Sequence, residues 1–278
     1  MSNREYATPF SILHAASLLS HKRRIMKFDR ALERVVKQDD YVIDIGTGSG
    51  ILAILAAKRG GRVTAIEINV ESLKYAQKAA ELNDVDNRVE FICEHFSEYV
   101  PSERADVVIC EMLSSMMLIE QQIPASSHAI ENFLKPAGKI LPETVSVFLA
   151  PVQNDILWRR FEILGLLFPR LPQTAEQGQC RDLSDLQEIA HFDLTRTNRN
   201  VIVEKTLSFT IVDDGIAHGL VGMFEARLCD EIVLNMEDGW KELFVPFERP
   251  VNVTKGDCLQ VEISYCPGKF DTLNIEVR

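Results

Sequence analysis

The chain has 278 residues, 46% of them apolar and 26% charged, with a formal net charge of −11. That length allows two domains and a sizeable core, the composition is globular, and no apolar run approaches the roughly 20 residues that span a bilayer. So acidic a chain argues against long RNA or DNA, whose phosphates need a positive face, and favours a cationic substrate such as a basic protein or an amine. Residues 1–9 lack a signal-peptide pattern. Cysteines 93, 110, 180, 229, 258 and 266 form no CxxC pair. The expectation is a reducing cytoplasm, with no disulfide framework, zinc site or membrane contact.

Apolar residues at helical spacing (Ile12, Leu13, Leu18, Leu19, Ile25, Phe28, Leu32, Val35) predict one or two helices over 11–36. Residues 41–69 read YVIDIGTGSGILAILAAKRGGRVTAIEIN. This is a strand over 41–45, a loop with Gly46, Gly48 and Gly50, a helix over 51–58 and a second strand ending in Glu67. A helix over 70–83, strands over 89–93 and 106–110, a helix over 125–134 and a strand over 138–141 follow. Lys135-Pro136-Ala137-Gly138 reads as the stop of that last helix. Such alternation predicts α/β architecture with a mainly parallel sheet and right-handed crossovers.

After Pro142 the texture changes. Short β-like runs lie at 145–149, 201–203, 207–211, 220–224, 231–234, 243–247, 259–264 and 273–277, separated by turn signals such as Asp213-Asp214-Gly215 and Pro267-Gly268. They predict an antiparallel β-barrel-like or sandwich domain. Residues 155–166 read as a helix, and the polar stretch 169–182 as an excursion or arm. The division is 1–36 (helical lid), 37–142 (ligand-binding α/β domain) and 143–278 (β-domain for substrate, with a possible arm at 161–186).

The glycine spacing narrows the ligand. A dinucleotide GxGxxG would need glycine where Ile51 stands, and no Gly-Lys-Ser/Thr ending marks a phosphate loop. Asp44 beside the loop repels phosphate and welcomes an ammonium. Glu67 can accept two hydrogen bonds from a ribose diol. A bare glycine turn with a surface acid is the plainer reading of GxGxG alone; Asp44, the flanking strands and Glu67 weigh against it. An amino-acid tail plus a ribose, gripped at both ends, is S-adenosylmethionine (SAM). The segment resembles motif I and its following acid in Rossmann-like (class I) SAM-dependent methyltransferases. Ser97, after the third strand, stands where such enzymes often accept from the adenine amino group.

Residues after the fourth strand face the transferred methyl. Here they read EMLSSMMLIE, with Glu111 and Glu120 nine apart. Two carboxylates can converge on one cation, and a guanidinium fits them as a planar fork. The pair resembles the double-glutamate loop of protein arginine N-methyltransferases. KILPE (139–143) and GWKELFVPFERPVNVTKG (239–256) are similar to barrel segments of that family, and Arg24 with Phe28 and Leu32 is similar to its Arg-x-x-x-aromatic pattern. The resemblance runs from about Leu18 to the C-terminus and is weakest over 169–200.

It implies that Arg24 grips the methionine carboxylate of SAM, and that an arm from the barrel makes a homodimer. Three departures stand out. The family's Thr-His-Trp is Asp238-Gly239-Trp240 here; its tryptophan after the first glutamate is Met112; its lid tyrosines have approximate counterparts in Tyr6 and Phe10. The family histidine helps to position the glutamates, so the acceptor stays open. The implied activity is N-methylation of protein arginine. The alternatives are an RNA base or small amine as acceptor, or a catalytically silent SAM-binding partner protein. Plainer readings stand beside the sharper ones: Glu111 as a solvated acid, Arg24 as part of a basic surface run, Met112, Met116 and Met117 as loop packing, Trp240 as barrel core, and His14 and His21 as ordinary polar positions.

Overall fold

The structure, a computed structural model, describes residues 11–278. Tyr6 and Phe10 therefore lie outside the described residues. Helix α1 (Ile12–Ser17) is capped by the Ser11 side chain, and a 3-10 turn (Leu18–Ser20) leads to α2 (Lys22–Val35). The buried positions of α2 are Arg24, Phe28, Ala31 and Leu32, one helical face. An arginine on that inner face is the first sign that the helix covers a polar site.

Five parallel strands form the first sheet: β1 (Tyr41–Ile45), β2 (Arg62–Ile66), β3 (Val89–Ile92), β4 (Ala105–Cys110) and β5 (Leu134–Leu141), in the order β3-β2-β1-β4-β5. Every residue of β1 is buried, as expected of a strand covered on both faces. Helices α3 (Ile51–Lys58), α4 (Val70–Leu82) and α5 (Gln122–His128) belong to the crossovers, and Asn69 caps α4 by accepting from Glu71 N and Ser72 N. The order changes direction at β1 and β4, so a crevice opens beyond their carboxyl ends.

Two expectations are corrected here. The helix predicted over 125–134 starts three residues earlier, at Gln122, and finishes as a π-helical turn, Ala129–Phe133. Residues 135–138 follow the helix end at Phe133, but the strand predicted over 138–141 begins already at Leu134 and takes them in. They lie inside β5, in a bulge where four residues face Asp106 alone. Pro136 cannot donate to a ladder, so the strand bows out around it, and Lys135 Nζ ties the bulge to Asp106 at 2.7 Å.

The second half is antiparallel and curls into a half-barrel. Its strands β6 (Thr144–Gln153), β13 (Gly215–Cys229) and β15 (Glu242–Val253) form the long centre of a seven-stranded sheet. The short strands β9 (Gln173–Ala175), β10 (Arg181–Asp182), β11 (Gln187–Asp193) and β14 (Ile232–Leu234) complete it. A three-stranded sheet of β12 (Val203–Thr210), β16 (Cys258–Cys266) and β17 (Lys269–Val277) packs beside it.

The helix predicted over 155–166 is also corrected. Helix α6 (Asp155–Arg159) stops after five residues, and a hairpin of β7 (Glu162–Ile163) and β8 (Leu166–Leu167) follows. Its turn residues Leu164 and Gly165 both have positive φ, the geometry that suits a two-residue hairpin loop. Strand β11, unmarked in the sequence reading, pairs with β6.

Helix α2 is tied to the barrel. Lys27 Nζ reaches Asp238 at 2.6 Å, Arg23 reaches Glu237 at 2.9 Å and Arg34 reaches Glu231 at 2.6 Å. The Asp238 side chain is fully buried, so its bond to Lys27 is screened little, unlike the two surface pairs.

Candidate functional site

Three loops meet at the carboxyl ends of β1, β2 and β4. After β1, Gly46, Gly48 and Gly50 all have positive φ, and a Cβ on Gly50 would come 2.8 Å from the Ala76 Cβ of α4. The loop therefore lies close against the neighbouring helix and leaves its backbone open to a ligand. After β2, the Glu67 carboxylate accepts from Gly48 N at 3.0 Å and from Asn69 N at 2.8 Å. It pins the glycine loop while each oxygen keeps a lone pair for another donor. Asp44, at the end of β1, is buried and accepts from Thr47 Oγ1 at 2.6 Å. Burial, with Glu67 nearby, pushes its carboxyl up to about 6.

After β4 comes the loop bounded by Glu111 and Glu120. Arg24 of α2 enters it from above and pairs with Glu111, both side chains at most a tenth exposed. Burial pulls the Arg24 guanidinium down to about 10, opposed by the charges of Glu120 and Asp44. Burial pushes Glu120 up to about 8 against the pull of Arg24. Arg24 is thus the common neighbour of all three acids. Its Nε and Nη1 are buried without a hydrogen-bond partner, an arrangement that suits an incoming carboxylate.

The loop's shape comes from residues the sequence reading passed over. At its ends, Gln122 Oε1 accepts from Met112 N at 2.8 Å, Gln122 Nε2 donates to Cys110 O at 2.8 Å, and Ser114 Oγ accepts from Glu120 N at 3.2 Å. In its middle, Met116 and Met117 are fully buried with positive φ. The barrel holds that unusual backbone: Tyr265 OH donates to Met116 O at 2.8 Å, Gly268 N to Met117 O at 2.9 Å and Trp240 Nε1 to Leu113 O at 2.9 Å. Trp240 is thus more than core, since Arg24 also stands over its ring at 5.6 Å. Nothing in the sequence marks Gln122, whose burial and paired bonds exist only in the fold.

Ser97 does not join this group. Its hydroxyl sits 2.7 Å from His95 Nδ1. A cavity of about 470 Å³ beyond β2 and β3 is lined instead by Ile68, Cys93, Glu94, His95 and Glu98. Glu94 and Glu98 are the two carboxylates that it exposes.

The family model for ribosomal protein L11 methyltransferase (PrmA) matches residues 29–141. An uncharacterized protein of Methanocaldococcus jannaschii is 44% identical over 127 residues, 45% of this chain and 49% of that protein. The chain thus spans about half the length of that relative. An arginine N(omega)-methyltransferase of Streptomyces achromogenes subsp. streptozoticus is 26% identical over 271 residues, 90% of this chain and 75% of that protein. The Trypanosoma brucei PRMT1 enzyme-prozyme heterotetrameric complex with AdoHcy superimposes with a TM-score of 0.79 at 18% identity, covering 94% of this chain and 91% of that one. The chain has the protein arginine methyltransferase fold.

Position 239 is where the sequence reading found glycine in place of the family's histidine. Gly239 has φ +126, and a Cβ there would come 2.5 Å from Cγ and Nδ1 of His21. His21 is the residue just before α2, three positions ahead of Arg24. Its imidazole basicity is lowered by burial and by the Arg24 and His14 charges. An imidazole therefore does stand beside the motif position, but it arrives from the lid and not from the barrel.

Proposed function

We propose that this chain is a SAM-dependent N-methyltransferase acting on arginine side chains of basic proteins. The observation that carries the reading is the fork itself. Glu111 and Glu120 already act on one guanidinium, that of Arg24. A pocket built from two carboxylates around a planar cation suits an acceptor arginine better than a nucleobase.

The residues present fit the cofactor. In this proposal the Arg24 donors Nε and Nη1 take its carboxylate, Asp44 its ammonium and Glu67 its ribose hydroxyls, with the backbone of Gly46, Gly48 and Gly50 close by and Glu94, in place of Ser97, near the base. SAM supplies an electrophilic methyl on a sulfonium. The protein's task is alignment, which contributes several kcal/mol, on the order of 7 or more in favourable cases. Glu111 and Glu120 hold the acceptor guanidinium, localise its charge and leave one nitrogen with a usable lone pair. Glu120, pushed up to about 8, is suited to accept at its carboxylate oxygen the proton that the product nitrogen gives up.

A homodimer and a cytoplasmic location belong to the same proposal. The hairpin tip exposes Ile163, Leu164, Leu166, Leu167 and Phe168, an apolar surface of the kind that marks interfaces. The described helices include none long and apolar enough to cross a membrane.

The test is incubation with labelled SAM and basic proteins, followed by acid hydrolysis. Methylarginine is the expected product. Label sensitive to nuclease would transfer the reading to RNA, and tight SAM binding without any transfer would make the chain a silent partner protein.

A further inference from the structure

Gln122 is the first residue of α5, fully buried, and stands two residues after Glu120. A buried amide of that size needs partners at both ends. Gln122 finds them on either side of Glu111. Its Nε2 donates to Cys110 O at 2.8 Å, and its Oε1 accepts from Met112 N at 2.8 Å. A carbonyl only accepts and an N–H only donates, so the orientation of the amide is fixed. The second Nε2 proton goes to Ser126 Oγ at 3.0 Å, and that hydroxyl donates to Gln122 O at 2.7 Å.

Both peptide groups that meet at the Glu111 Cα are thereby held. Each peptide group is planar and rigid. Holding the carbonyl before Glu111 and the N–H after it sets the direction in which the Glu111 side chain leaves the backbone. The next side chain, Met112, lies over the glycine loop, its Cγ 3.5 Å from where a Cβ on Gly46 would stand. On the other side, Glu120 is at most about 7 Å of chain from Gln122, and Ser114 Oγ holds the Glu120 N–H at 3.2 Å. One side chain thus joins the backbone of the first glutamate to the helix start that follows the second.

We propose that Gln122 is a positioning residue for methyl transfer, its amide setting the Glu111 carboxylate relative to Glu120 and the glycine loop. It acts only through the backbone on either side of Glu111. The inference rests on the arginine methyltransferase reading and adds to it the group that fixes the spacing of the fork. The role needs a donor and an acceptor on one planar head. Methionine has the length and neither function. A glutamate has both only while protonated, when its hydroxyl donates to Cys110 O and its carbonyl oxygen accepts from Met112 N. Once ionised, it turns an acceptor towards Cys110 O and the bond is lost.

The experiment compares Gln122→Glu and Gln122→Met with the parent, as the full chain with SAM and an arginine peptide, from about pH 6 to 9.5. Each kcat is taken as a ratio to the parent at the same pH, which cancels the titrations of Asp44 and Glu120. Gln122→Met is expected to lower kcat about 100-fold, with S-adenosylhomocysteine affinity within about twofold of the parent. Gln122→Glu is expected to approach the parent at the acid end and to fall as its carboxyl ionises, by about tenfold per pH unit, towards the level of Gln122→Met. Parental kcat in Gln122→Met, or a Gln122→Glu ratio as low as that of Gln122→Met at the acid end, would overturn the proposal. So would a loss of S-adenosylhomocysteine affinity that parallels kcat, which would make the residue structural. Where methionine at 122 unfolds the chain, the Gln122→Glu ratio decides alone, and a ratio flat with pH overturns the proposal. The parent tests the underlying reading separately: no methylarginine from the parent sinks it. Gln122 is then judged by hydrogen exchange of the Met112 amide, expected about tenfold faster in Gln122→Glu than in the parent at the alkaline end. Unchanged exchange there overturns the assignment.

Discussion

The imidazole of His21 occupies the space that any side chain at Gly239 would need, with Cγ and Nδ1 both 2.5 Å from an added Cβ. Restoring a histidine at 239 should therefore harm this chain. Gly239→His meets both a backbone at φ +126 and the His21 ring, a cost of about 1–3 kcal/mol. The melting temperature should fall by several degrees, and transfer should slow. Adding His21→Gly should recover part of both losses by removing the collision. A Gly239→His variant as stable and active as the parent would show that the His21 contact is not a constraint.

In the proposed roles Arg24 is shared, its Nη2 with Glu111 and its Nε and Nη1 with the cofactor carboxylate. Glu111→Gln should lower turnover about 100-fold or more. It should also raise SAM affinity modestly, because Arg24 loses a charged rival for the cofactor carboxylate. Without cofactor the variant should lose about 3 kcal/mol of stability, since the buried Arg24 charge is no longer neutralised. Added S-adenosylhomocysteine should restore much of it. Calorimetric titration and thermal melts read all three, and a large loss of SAM affinity would break the division of roles.

Two carboxyls give two separate pH signatures. Asp44, pushed up to about 6, must be ionised to meet an ammonium, so binding lowers its pKa. SAM affinity should be level above pH 6 and fall as pH drops through 6, by up to about tenfold per unit. Asp44→Asn should flatten that profile. Burial pushes Glu120 up to about 8, so a rise in pH favours its ionised form. The acceptor's kcat/KM should therefore climb as pH rises through 8, and Glu120→Gln should remove the rise.

The exposed hairpin is the test of assembly. Leu164 is 97% exposed and Leu167 76%, so Leu164→Glu/Leu167→Glu should cost the monomer fold within about 0.5 kcal/mol. Light scattering should report a dimer for the parent and a monomer for the variant. Equal masses would remove the hairpin from the interface.

What could be read in advance was local. Asp44, the three glycines and Glu67 lie within 24 residues, and strand, turn and helix preferences there agree with one another. The misread segments were those where tertiary pairing overrode local pattern. Residues 162–167 look helical by composition, yet Leu164 and Gly165 turn them into a hairpin. The strand predicted over 138–141 begins at Leu134, because residues 135–138 are taken up in a bulge opposite Asp106. The anchors of the glutamate loop were illegible for a different reason: Trp240 is 127 residues from Leu113, and Tyr265 is 149 from Met116. No short-range signal carries contacts of that separation.

Those anchors mean that the glutamate loop, the proposed acceptor site, is a joint product of the two halves of the chain. The glutamates belong to the first half, but the carbonyls of Leu113, Met116 and Met117 are held by donors from the second. A fragment ending at Leu141 would keep the glycine loop and lose the shape of the fork. Grafting a different barrel onto the same sheet could redirect the chemistry without altering either acid. In a chain of this design, acceptor choice can evolve from behind the active site, through residues that never touch what is methylated.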